Sequence, residues 1–169
     1  IVIALSKKVC LLGDYAVGKT SLVRRFIYDA FDDKYLSTIG VRISRRTMQR
    51  ATQAINLLIW DLAGAQEFNT QSSYLVGVSA ALIVCDLTRR ETLASLTKYA
   101  RQVWAINHLA PLILVGNKAD LLTAHAITEA ELRAAGEALH SDHVLTSAKT
   151  GLGVAAAFEQ LTDRLEALA

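Results

Sequence analysis

The chain is short of several things. Of its 169 residues, one is proline, two are cysteine and 7% are aromatic. The lone proline, Pro111, marks one element boundary, and no linker or low-complexity tract is present. Cys10 and Cys85 lack the CxxC spacing of a redox pair. Each lies in an apolar run, so both are expected to be small core residues of a protein in a reducing compartment. Neither sign of charge dominates: 18 Lys and Arg against 16 Asp and Glu leave a formal charge of +2. That balance points to no nucleic-acid partner and to no strongly anionic membrane. No apolar run is long enough to span a bilayer. The opening IVIALSKKVC is apolar and then basic, the reverse of a secretory signal. The closing LEALA has no cysteine for prenylation. A cytoplasmic location is therefore expected, with no membrane association encoded in this chain. His108, His125, His140 and His143 show no ligand spacing with Cys or Glu, and no Ser-His-Asp logic emerges.

What is present is a regular alternation of short apolar runs and helix-like stretches. Half the residues are apolar (52%) and a fifth are charged (20%), which suits one globular domain over 1–169. Ile1 to Ser6 reads as a short N-terminal extension or as the start of the first strand. Nearly continuous apolar runs fall at Val9–Leu12, Ile55–Trp60, Ala81–Cys85, Leu112–Val115 and Val144–Leu145. Such runs suit strands covered on both faces. Helices are expected over Lys19–Tyr28, Thr92–Asn107, Glu129–His140 after the cap residue Thr128, and Val154–Ala167. Val41 to Arg50 alternates like an edge strand. Its arginines (42, 45, 46 and 50) either discourage edge-to-edge pairing or meet a partner. The layout is α/β with a mostly parallel sheet, whose ligands sit beyond the carboxyl ends of the strands.

GDYAVGKT, Gly13 to Thr20, fits G-x-x-x-x-G-K-[ST] in full, with an apolar strand before it and a helix after it. Gly13 and Gly18 permit a tight turn that aims backbone N–H groups at phosphate oxygens. The helix that starts near Lys19 adds the positive end of its dipole. Lys19 reaches the outer phosphates, and Thr20 offers a hydroxyl to Mg²⁺. Asp14, Tyr15, Ala16, Val17, Gly18, Lys19, Thr20 and Ser21 are thus candidate nucleotide-binding residues. The loop specifies a nucleoside triphosphate and leaves the base open.

NKAD, Asn117 to Asp120, follows LILVG and so lies at the carboxyl end of a strand. The Asp120 carboxylate can accept from the ring N–H and the exocyclic amine of guanine, a donor pair that adenine lacks. Asn117 can tie this loop to the phosphate loop, and Lys118 can lay its stem across the base. TSAK, Thr146 to Lys149, follows the last apolar run, and the N–H of Ala148 could meet the guanine carbonyl oxygen. Ser147 and Lys149 join that candidate set.

With GDYAVGKT, WDLAG, NKAD and TSAK in that order, the chain resembles the Ras-like small GTPases. STIGV (37–41), IWD (59–61) and LILVGNKADL have the look of the Rab branch. The resemblance spans about 7–168 and implies a three-layer P-loop fold, a small G domain. Its six-stranded sheet is mostly parallel, with one antiparallel edge strand and helices on both faces. It also implies GTP or GDP with Mg²⁺, and effectors, exchange factors and activating proteins that read two switch segments. In the first, Thr38 would bind Mg²⁺ and the γ-phosphate, Phe31 would pack over the base and ribose, and Tyr35 would cover the phosphates. For Phe31 and Tyr35 the alternative is packing on the domain. In the second, Asp61 would hold Mg²⁺ through a water and Gly64 would donate its N–H to the γ-phosphate. Trp60 would either wall the switch surface or pack beside the edge strand.

The sequence departs from the family pattern at the position of the water-orienting glutamine. Gly64 is followed by Ala65, and Gln66 comes next. An ungapped alignment puts Ala65 in the glutamine position and matches Phe68 to the family phenylalanine. A one-residue insertion restores Gln66. The segment from Asn69 onward keeps the family length only without the insertion, so the ungapped alignment is preferred. Tyr15 and Ala16 also stand where Ras has two glycines. The expected function is a GTP/GDP switch with slow hydrolysis, in which Lys19, Thr38, Gly64 and Gln66 are the candidate catalytic residues. The alternative is a GTP-binding interaction module that hardly hydrolyses. A third reading, a small-molecule phosphotransferase, is disfavoured by NKAD and TSAK.

Overall fold

The computed structural model describes residues 4–32, 40–62 and 73–168. Six strands form one sheet in the order β2-β3-β1-β4-β5-β6. They are β1 Ala4–Gly13, β2 Val41–Gln49, β3 Ala54–Leu62, β4 Ala80–Asp86, β5 Leu112–Asn117 and β6 Asp142–Leu145. Every pairing is parallel except β2 with β3, which runs antiparallel from Val41↔Leu62 to Gln49↔Ala54. This is the expected sheet, with its one antiparallel strand at the edge. Ala4–Ser6 are strand, paired with Ala54–Asn56 of β3, so the first strand begins earlier than the apolar run suggests.

The sheet is covered by α-helices α1 Lys19–Tyr28, α2 Arg90–Ala94, α3 Leu96–Ile106, α4 Glu129–Ala138 and α5 Val154–Ala167. Both faces of β4, of β5 and of the second half of β1 (Val9–Gly13) are buried, which is why those stretches read as nearly continuous apolar runs. Val9 and Leu11 pack with Leu22 of α1 and Phe158 of α5 on one face. Cys10 and Leu12 pack with Tyr99 and Val103 of α3 and Leu132 of α4 on the other. Each such aliphatic or aromatic side chain contributes about 1.5–3 kcal/mol by leaving water. Cys10 and Cys85 are fully buried and free, as core residues, and burial pushes both thiols up to about 12.

Local chemistry sets the helix ends. Thr128 and Glu131 form a reciprocal capping box at the start of α4. The helix expected over 92–107 begins earlier, at Arg90, and is interrupted at Ser95. The helix expected to reach His140 ends at Ala138. At the edge, Ile43 is exposed, and the arginines divide. Arg42 and Arg45 face solvent. Arg46 donates to the Phe26 carbonyl at 2.8 Å, and Arg50 pairs with Glu159, Asp163 and Glu166 of α5. Part of this basic run therefore fastens the sheet edge to two helices.

Because α1 leaves β1 toward one face and α3 follows β4 toward the other, their connections part beyond the carboxyl ends of β1 and β4. That divergence opens a crevice where an open parallel sheet binds its ligand.

Candidate functional site

The loop from β1 to α1 is held open from within. Gly18 sits at φ +100°, and a Cβ there would lie 2.3 Å from the Asn117 side-chain nitrogen. A Cβ on Gly13 would lie 2.4 Å from the Val84 carbonyl oxygen. Both glycines are demanded by close approach, a constraint separate from the tight turn expected of the motif. Ala16 takes the left-handed conformation at φ 61°. Lys19 is 6% exposed, and its ammonium donates to the carbonyls of Gly13 at 2.8 Å and Asp14 at 3.1 Å. Burial lowers its pKa to about 8, against the raising pull of Asp61 and Asp14. A buried cation ringed by loop backbone is a seat for an anion.

The Asp14 side chain turns away from the loop cavity. It accepts from Ser95 at 2.7 Å and from the Tyr99 hydroxyl at 2.8 Å, so it anchors the loop to α3. Burial and the adjacent Asp14 both raise the pKa of Tyr99 and keep its hydroxyl protonated as a donor. Tyr15 is half exposed (50%), and Val17 is fully buried. Ser21 lies in the first turn of α1, partly buried.

Asn117 is the hub between the loops. Its side-chain nitrogen donates to the Val17 carbonyl at 3.0 Å. Its side-chain oxygen accepts from Thr146 at 3.0 Å and from the Ala148 N–H at 3.3 Å. Ser147 donates to the Asp120 carboxylate at 2.7 Å. NKAD and TSAK are thus bound to each other and to the phosphate loop. Lys118 takes a left-handed φ of 67°, and its ammonium lies 2.8 Å from the Asp86 carboxylate. Lys149 is exposed, and Phe31 packs, partly buried, against the α1/α5 core.

Asp86 and its neighbours were not legible as site residues. The carboxylate is 1% exposed and accepts from Lys118, from Thr88 at 2.7 and 2.9 Å, and from Arg89 at 3.1 Å. Burial works to raise its pKa, but the bonds from Lys118 and Thr88 outweigh that and hold it below the ordinary value. Arg89 also donates to the Tyr15 carbonyl at 2.6 Å and so joins this cluster to the phosphate loop. In the sequence, Arg25 beside Arg24 on α1 has nothing to set it apart from a solvated helix residue. In the structure it donates to the carbonyls of Ala148 at 2.9 Å and Lys149 at 2.6 Å. The DLTRR segment after β4 offered the one available signal, a carboxylate at a strand end followed by cations.

Thr20 and Asp61 are both buried, and the Thr20 hydroxyl donates to the Asp61 carboxylate at 2.5 Å. Two hard oxygen ligands, at the start of α1 and near the carboxyl end of β3, lie beside an anion seat and fit Mg²⁺, which is bound by one or two protein oxygens and substrate phosphates. Trp60 packs, partly buried, beside Val41 and Tyr74, with the Lys8 ammonium 3.5 Å from its ring centre. Among the described residues no three His, Cys, Asp or Glu side chains cluster as a metal cage. Tyr35, Thr38, Gly64, Ala65, Gln66 and Phe68 lie outside the described residues. No helix of the described residues is long and apolar enough to cross a membrane.

Comparison with known proteins agrees with this geometry. The model of the Ras family matches residues 8–167. The Ras-related protein Rab-22A of Mus musculus is 36% identical over 162 residues, covering 94% of this chain and 82% of that protein. Rab-22A of Homo sapiens gives the same identity and coverage, 36%, 94% and 82%. The Ras-related protein RABD1 of Arabidopsis thaliana is 36% identical over 153 residues, covering 89% of this chain and 75% of its own. The chain belongs to the Ras family and is a Rab-like small GTPase, a guanine-nucleotide-binding switch.

Proposed function

We propose that this chain binds GTP and GDP with Mg²⁺, hydrolyses GTP slowly, and recruits effectors through its two switch segments in the GTP state. The observation that carries the reading is Asn117, which holds the phosphate loop and both base-reading loops in one frame. Within that frame Asp120, oriented by Ser147, accepts from the guanine ring N–H and amine. The Ala148 N–H meets the guanine oxygen. Lys19 exchanges its two loop carbonyls for β- and γ-phosphate oxygens, and a bound anion stabilises the charged form that burial disfavours. Thr20, Asp61 and Thr38 would hold Mg²⁺. Bound there, the ion would neutralise charge that develops on the phosphates. Gly64 would donate to the γ-phosphate, and Phe31 would pack over the base. Tyr35 would cover the phosphates. Exchange factors and activating proteins would meet the same switch surface, beside the exposed Ile43 and the basic β2. A cytoplasmic location goes with this reading.

Hydrolysis turns on the segment after Gly64. Alanine cannot orient water, and binding does not depend on that role. The preferred alignment, which puts Ala65 in the glutamine position, therefore favours intrinsic hydrolysis at or below the order of 10⁻⁴ s⁻¹. The second reading, a GTP-bound platform with almost no turnover, rests on that same residue. Single-turnover hydrolysis of pre-loaded GTP, read as nucleotide released on denaturing the protein over hours, tests both. Persistent GTP in the wild type, with faster turnover in Ala65→Gln, is expected. Rapid turnover that is lost in Gln66→Ala would overturn the preferred alignment.

A further inference from the structure

Arg25 lies two turns into α1, and its side chain is 18% exposed. All three nitrogens of its guanidinium are committed. Nε donates to the Ala148 carbonyl at 2.9 Å, Nη2 to the Lys149 carbonyl at 2.6 Å, and Nη1 to the Asp29 carboxylate at 3.0 Å. The rigid fork of an arginine suits two successive carbonyls as a single ammonium does not. Asp29 is the C-cap of α1, in a left-handed conformation, with its N–H bonded to the Arg25 carbonyl. The clamp is therefore braced at its own end. Asn117 grips Ala148 on the opposite side, through the N–H, with a long bond of 3.3 Å. One residue is thus held by its N–H from β5 and by its carbonyl from α1.

We propose that Arg25 is a positioning residue for guanine recognition: by fixing the Ala148 and Lys149 carbonyls it aims the Ala148 N–H at the guanine carbonyl oxygen. The inference rests on the nucleotide reading above and adds the group that sets the base-reading loop. It also makes α1 a common beam, with the phosphate loop at its first residue and the base-reading clamp further along. Without the clamp the loop keeps the Asn117 bond but loses the brace on its far side. The affinity lost should then depend on the base oxygen, since the phosphates are held by other residues.

The test pairs protein variants with base analogues. Affinities for GDP and for 6-thio-GDP, whose sulfur accepts more weakly than oxygen, are measured by displacing a fluorescent GDP from wild type, Arg25→Ala, Arg25→Lys and Arg24→Ala. Arg24 is the neighbouring control, with its guanidinium 3.9 Å from Asp32. Two charge-assisted hydrogen bonds to the loop are lost in Arg25→Ala, and GDP affinity is expected to fall by about tenfold or more. The fall for 6-thio-GDP should be smaller by at least about threefold, because less is left to lose at that atom. Arg25→Lys should lie between, and Arg24→Ala should match wild type. If Arg25→Ala does not fold, the unequal loss is read from Arg25→Lys. Equal losses for the two nucleotides, or no loss, would overturn the role of Arg25 while wild-type binding stands. Failure of the wild type to bind GDP would remove the nucleotide reading itself.

Discussion

Lys19 holds a positive charge in a nearly closed site, and its pKa is lowered by burial from 10.5 to about 8. At neutral pH the lysine is protonated in both the folded and the unfolded chain, so the cost of burying the charge is present in full. Between pH about 8 and 10.5 the folded chain sheds the proton first, the unfolded chain binds more protons, and stability rises with pH. Above 10.5 the gain is complete. Urea unfolding of the nucleotide-free protein should therefore show wild type gaining on Lys19→Met as pH climbs through this window. The difference cancels other groups, including the thiols of Cys10 and Cys85. A constant difference across the window would mean that the lysine is not buried as a charge. Residue types announced this site: the lysine, the threonine and the glycines follow from the motif. The direction of the Asp14 side chain did not, because a motif states backbone roles and leaves the side chain at a variable position to its neighbours.

At the scale of elements, the site is a set of ties between loops and helices. Asp14 ties the phosphate loop to α3 through Ser95 and Tyr99. Tyr99→Phe removes one donor from a partly buried carboxylate, and it should cost about 1 kcal/mol. Denaturant titration checks this, with the slope unchanged if only stability is altered. No shift in midpoint would show that Ser95 alone satisfies the carboxylate. The element boundaries were mostly legible, since α1 and α5 begin and end where the periodicity and glycines place them. The break at Ser95 was not legible, because a serine mid-helix reads as an ordinary surface residue until its hydroxyl is seen to meet Asp14.

At the scale of the molecule, a ligand bound to the folded chain alone stabilises every element that packs on the site. At a thousandfold excess over its dissociation constant the gain is about 4 kcal/mol. For a domain of this size that corresponds to roughly 10 °C in melting midpoint. GDP with Mg²⁺ should give such a shift and ADP none, because Asp120 has no donor pair to meet on adenine. Thermal unfolding at equal concentrations of the two nucleotides is the measurement. Equal shifts would return the base-reading loops to the rank of ordinary turns.

The sequence by itself determined the α/β class, the phosphate-loop motif, the two tetrapeptides proposed to read the base, and the edge strand. Each is written in local spacing: a period, a turn residue or a contiguous motif. The tertiary structure alone decided that Arg25 clamps a loop 123 residues away, that Arg89 holds the Tyr15 carbonyl, and that Asp86 gathers Lys118 and Arg89 around a buried charge. An arginine on a helix has the same spacing whether it faces water or a carbonyl. Only the packing of α1 against the loop that follows β6 settles which one it meets.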